Sequence, residues 1–201
     1  MQYAGNINLQ TMEKFLFVYN WLSALTDGRF FRTTFSGILR ITAIVFTIYL
    51  LGDAIENGQR MVDLPAGASL LLPILSQLLL LLAGYMVIHL LLLRAAEIRS
   101  LYDPRYALSE VVTVLARLSG EVLFVATLAA TLLTLLQIEE VEVSPWLNHL
   151  QQMIAPLLKQ TTEVWILVSG LTLSFLLLIA GYLSSEVLEM VMKLSRNSEQ
   201  K

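Results

Sequence analysis

The chain has 201 residues, of which 56% are hydrophobic and 14% charged, with a net charge of −3 and no cysteine. Soluble domains carry about 25% charged residues, so this composition points to a membrane protein of one compact domain. It excludes disulfides, thiolate metal sites and thiol chemistry, and it lacks the basic excess of a nucleic-acid binder.

Residues 1–34 read as a cytoplasmic N-terminal segment. Lys14 is the only cation before Arg29, so no charged n-region precedes an apolar stretch as in a cleavable signal peptide. The first span is therefore expected to be its own anchor. Met12, Phe15, Leu16, Tyr19 and Leu22 recur at helical spacing, and Phe17 and Trp21 add aromatics. The pattern predicts an amphipathic helix over 9–25 lying at headgroup level, ended by Asp27-Gly28.

The first span is placed at about residues 35–55, with Arg40 reaching toward one surface. A loop follows over Asp53 to Ala68. The second span, 70–93, contains no charge and is closed by Arg94. At 1.5 Å per residue it is about 36 Å long, enough to cross a bilayer's hydrocarbon core. A polar connection leads to Asp103-Pro104, which reads as an N-cap followed by a first-turn proline. The third span is placed at 118–138 and ends at Glu139, Glu140 and Glu142. Ser144-Pro145 starts a second amphipathic helix over 145–158, on the outer surface. The fourth span is 164–183, and 185–201 form a cytoplasmic tail. The expected membrane domain is thus 35–184: an all-α, four-helix integral membrane bundle, with two interfacial helices besides.

Four spans put both termini on one side. Lys14, Arg29, Arg32, Arg40, Arg94, Arg99, Arg105, Arg117, Lys193, Arg196 and Lys201 share that side, leaving Arg60 and Lys159 on the other. The positive-inside rule makes the shared side cytoplasmic, and the short loops suggest a bacterial inner membrane.

The chain also looks duplicated. Leu82-Ala83-Gly84-Tyr85 recurs as Ile179-Ala180-Gly181-Tyr182, Arg40-Ile41-Thr42-Ala43 as Arg117-Leu118-Ser119-Gly120, and Asp27-Gly28-Arg29-Phe30 as Asp103-Pro104-Arg105-Tyr106. The order suggests two tandem hairpins in a parallel repeat; convergence of apolar sequence is the alternative. Small residues let membrane helices approach closely. Ala83, Gly84, Gly170, Ser174, Ala180, Gly181 and Ser185 are the expected packing residues, with Gly84 meeting Gly181.

Ionisable residues inside spans are costly and are functional candidates. Arg40, His89, Arg117 and Glu121 fall at similar depth and could form a polar cluster that relays protons or lines an ion path. The structural alternative pairs Arg117 with Glu121 along one helix, puts His89 at the interface and sends Arg40 to lipid phosphates. Thr127, Thr131 and Thr134 form a hydroxyl stripe, and Gln77 offers an interhelical bond. Glu189 and Lys193 read as an i, i+4 pair.

His149 has no metal-ligand spacing around it, and HExxH, GxSxG, P-loop and Gly-rich nucleotide motifs are absent. No cofactor, metal or catalytic residue is expected. The expected function is that of a non-enzymatic accessory or scaffold subunit in a larger membrane assembly, in contact with lipid and with other membrane subunits or further copies of itself. The alternative is a small transporter or an ion or proton channel that uses the polar cluster.

Overall fold

The computed structural model describes residues 29–63, 69–101, 107–136 and 162–199. The amphipathic helices expected at 9–25 and 145–158, the Asp27-Gly28 and Asp103-Pro104 signals, the 139–142 acids and His149 lie outside them. Four helices make up the described chain: α1 (Arg29–Val62), α2 (Leu71–Ser100), α3 (Ala107–Leu135) and α4 (Glu163–Glu199). Each is long and apolar enough to cross a membrane, and no strand occurs among the described residues.

Each expected span overlaps one of these helices, residues 137–138 of the third lying outside the described residues, and helix and span do not share ends. α1 runs through Asp53 to Val62, where a loop was expected, and Arg60 Nη2 donates to Glu56 Oε1 at 2.9 Å across its last turns. α2 continues past Arg94 to Ser100, with Arg94 paired to Glu97 one turn on. α3 is already helical at Ala107. α4 extends to Glu199 through the expected tail. Arg, Glu, Lys and Met are strong helix formers, and i, i+3 and i, i+4 pairs support them in water. Charge therefore ends the apolar span without ending the helix.

α3 is the centre of the bundle. In its most apolar 18-residue window 56% of residues are buried, against 17% in α1 and in α4. It packs most extensively on α4, then on α2, and touches α1 along a smaller strip, while α1 and α2 form the other close pair. Leu80, Val87, Leu91 and Ile98 of α2 meet Val111, Val114, Leu118 and Val125 of α3 in the core. The outward faces are apolar too: Ile41, Ile44, Ile48 and Ile55 on α1, and Leu176, Ile179, Leu183 and Val187 on α4, are exposed. Exposed rows of large aliphatics suit lipid contact and would be a liability in water.

Small residues set the helix spacing. A Cβ on Gly181 would lie 2.6 Å from the Gly120 Cα, so the α3 and α4 backbones touch there. Gly170, higher on α4, packs directly on the Thr131 side chain, and Gly84 packs on Leu50 of α1. Ser36 of α1 ties the hairpin at its other end, donating to the Ala95 carbonyl of α2 at 2.8 Å. The expected contact of Gly84 with Gly181 does not form. Each glycine faces its own hairpin partner, and α3 lies between α2 and α4.

Candidate functional site

A charged brace joins α2, α3 and α4 near the end where α2 closes and α3 opens. Arg94 begins the last two turns of α2 and lies on the side facing α3. Its Nε donates to Glu121 Oε2 at 3.0 Å, and its Nη2 donates to Glu121 Oε1, forming a two-pronged pair. Both side chains are about nine-tenths buried, at 11% and 10% exposure. Tyr182 of α4 donates its hydroxyl to Glu121 Oε1 at 2.7 Å. Glu121 thus accepts from two other helices at once, and Arg94 Nη1 also donates to Glu97.

One turn away along α3, Arg117 makes a second set of links. Its Nε donates to Ser185 Oγ of α4 at 2.7 Å and its Nη2 donates to Glu189. Its Nη1 stands 3.7 Å from Glu97 Oε1, so Glu97 connects the two arginines. A guanidinium presents five donors in a rigid fork, which suits it to holding several acceptors on different helices.

The expected polar cluster comprised Arg40, His89, Arg117 and Glu121. Arg117 and Glu121 are both in the brace, but they do not pair with each other; each bonds across to a neighbouring helix. Arg40 and His89 are not in it and are exposed. On α2 the buried row is Ala83, Val87, Leu91 and Ala95, at four-residue spacing. His89 lies two residues from Val87 and from Leu91, about 200° round the helix, and so faces outward. There it stacks on Tyr85, with ring centroids 6.1 Å apart. On α1, Leu39 and Ala43 take the contact and turn Arg40 away.

Arg94, Tyr182, Glu97 and Glu189 complete the brace. Arg94 reads in sequence as a stop to the span, and Tyr182 as part of a packing motif. Glu189, read as the partner of Lys193, is held by Arg117 instead. A buried Glu121 needs a cation, and Arg94 sits at the same depth; that match of depth was the available signal.

Of the expected packing residues, Ala83, Gly84, Gly170, Ser174, Gly181 and Ser185 are buried, while Ala180 is exposed. Two of the three threonines in the stripe bond back to their own helix: Thr131 donates to the Thr127 carbonyl and Thr134 to that of Ala130, each at 2.8 Å. The Thr127 hydroxyl, the Gln77 carbonyl oxygen and the Asn57 amide nitrogen are buried without a hydrogen-bond partner. Among the described residues no group of three His, Asp or Glu side chains is placed to hold a metal ion.

Chemically, the brace fixes helices. Removing one partner from a buried ion pair leaves an uncompensated charge and costs about 3–5 kcal/mol. The arrangement ties α2 and α4, which have no direct backbone contact, to the central α3. Compared with models of known protein families, with characterised proteins and with solved structures, the chain matches none.

Proposed function

We propose that this chain is a non-enzymatic multi-pass membrane protein that serves as an accessory or scaffold subunit of a larger membrane assembly. The observation that carries the reading is the brace itself. Arg94 and Glu121 are held by each other, and Arg117 is held by Ser185 and Glu189. Groups committed in this way act as a lock on helix geometry. The α3–α4 seam is closed by backbone contact at Gly120 and Gly181, and large apolar side chains are turned outward on α1 and α4. A rigid interior with a wide apolar exterior suits docking against lipid and against other membrane subunits or further copies.

The charge distribution supports cytoplasmic termini and an inner-membrane setting. The close α1–α2 and α3–α4 pairs, each with its Ala-Gly-Tyr glycine facing the hairpin partner, support two tandem hairpins descended from one. Their glycines differ in register, Gly84 meeting Leu50 and Gly181 meeting Gly120.

The test is isolation from the native membrane in mild detergent, followed by native mass spectrometry. Stoichiometric membrane partners are expected. A lone chain that moves ions when reconstituted in liposomes would sink the proposal. It would favour the second reading, a small transporter or channel. One observation favours that reading: Glu121 is a carboxylate only 8% exposed inside the bundle, the kind of group that proton-coupled transport uses.

A further inference from the structure

One face of α4 is used inside the bundle and the opposite face is left open. Gly181, Ser185 and Glu189 turn toward α3, where Arg117 holds the last two. On the other side Leu176, Ala180, Leu183, Val187, Met190 and Leu194 are all exposed. Their spacing along the chain is four, three, four, three and four. That alternation is the 3.5-residue repeat of a coiled-coil seam, with Ala180, Val187 and Leu194 at position a and Leu176, Leu183 and Met190 at position d.

Lipid accounts for only the first half of this seam. The α3 and α4 backbones touch at Gly120 and Gly181, and Tyr182 reaches Glu121 from the next position at 2.7 Å. Glu121 in turn pairs with Arg94, which closes the uncharged run of α2. Met190 and Leu194 follow Tyr182 by eight and twelve residues, about 12 and 18 Å along the helix axis. The polar layer on each side of a bilayer is about 5–8 Å thick, so both residues stand beyond it, in water. They are nevertheless 61% and 70% exposed, and Val191 beside them is 58% exposed. A contiguous apolar strip in water marks a protein contact.

We infer that this face pairs with the same face of a second copy of the chain, in a parallel dimer whose two-fold axis lies along the membrane normal. Copies in one membrane share depth and orientation, so identical seams meet layer by layer from Leu176 to Leu194. A cytoplasmic segment or partner would cover only the part in water and leave the same repeat inside the membrane unmatched. Ala180 is small and lets the two backbones approach within the bilayer. Val187 at a and Leu183 at d suit two strands. The flanks agree as well. Glu186 and Lys193 take position g, which in a parallel pair lies beside position e of the other copy, Val191 and Ser198, so no like charges meet. The inference rests on the scaffold reading, for which it names one partner and the surface that holds it.

The chain has no cysteine, so single cysteines report on the seam directly. Met190→Cys, Leu194→Cys and Ser195→Cys are each placed in the full chain and oxidised in intact membranes. A disulfide needs Cα atoms about 4.4–6.8 Å apart, which identical residues at a or d supply across a parallel pair. Ser195 is exposed but off the seam. The two seam cysteines are expected to crosslink roughly tenfold faster than the Ser195 variant. In mild detergent, native mass spectrometry is expected to show a dimer. Met190→Lys/Leu194→Lys, both changes lying in water, is expected to weaken that dimer roughly a hundredfold. Equal crosslinking at all three positions, or none, would overturn the inference, and so would a dimer that survives the double variant. A monomer whose seam cysteines are shielded from a soluble maleimide would also overturn it, since another segment or a different subunit then covers the face. A monomer bound to other membrane subunits defeats the inference and leaves the scaffold reading standing. A dimer with no further partner supports the inference and removes the larger assembly.

Discussion

Arg94→Met removes the cation that holds Glu121. Glu121 is then left buried at 10% side-chain exposure, with only the Tyr182 hydroxyl donating to it. A buried pair broken on one side costs about 3–5 kcal/mol. For chains of 150–250 residues, 1 kcal/mol moves the melting midpoint by about 2–4 °C, so a drop of roughly 6–20 °C is expected. The double variant Arg94→Met/Glu121→Leu removes both charges and fills the space with apolar side chains. Such replacements are often neutral or stabilising, so the double variant is expected to recover most of the loss. The assay is thermal unfolding in mild detergent of wild type, both single variants and the double. Two results refute the reasoning: Arg94→Met melting with wild type, or the double variant melting no higher than Arg94→Met. Either would mean that Arg94 and Glu121 are not coupled as the structure places them.

The glycines offer a graded comparison. A Cβ at Gly181 meets backbone of α3, which cannot yield locally, whereas at Gly84 it meets the ends of a flexible Leu50 side chain. Gly181→Ala is therefore expected to cost more than Gly84→Ala, by about 1–3 kcal/mol, the usual cost of overpacking, read by melting of the two variants side by side. His89→Phe and Arg40→Gln alter exposed positions outside the brace and are expected to stay within about 0.5 kcal/mol of wild type. A loss of several kcal/mol in either would place a buried partner on that face. For topology, a C-terminal reporter active only in the cytoplasm is expected to be active, and activity from one that works only outside would reverse the orientation.

Much of the architecture was legible because hydropathy is a one-dimensional signal. Twenty-four residues without a charge, from Leu70 to Leu93, declare a span whatever packs beside them. The ends of the helices were less legible, because helix propensity and hydropathy are separate properties: Arg94 and Glu186 each end an apolar run while continuing a helix. Glu121 and Arg117 stood out, since an ionisable residue in a span is conspicuous alone. The pairing of Glu121 did not, since Arg94 and Tyr182 lie 27 and 61 positions from it.

What the sequence by itself determined is the number of membrane-length helices, the position of each charge relative to the apolar runs and the small residues available for close packing. Those follow from composition and period along a single helix. Only the tertiary structure decided which faces meet. Four helices of known apolar length can still be ordered and rotated in several ways. The arrangement with α3 at the centre turns Glu121 to Arg94, joins Gly181 to Gly120 rather than to Gly84, and turns His89 outward. That choice belongs to backbone contact and charge satisfaction across helices, which no periodicity within one helix encodes.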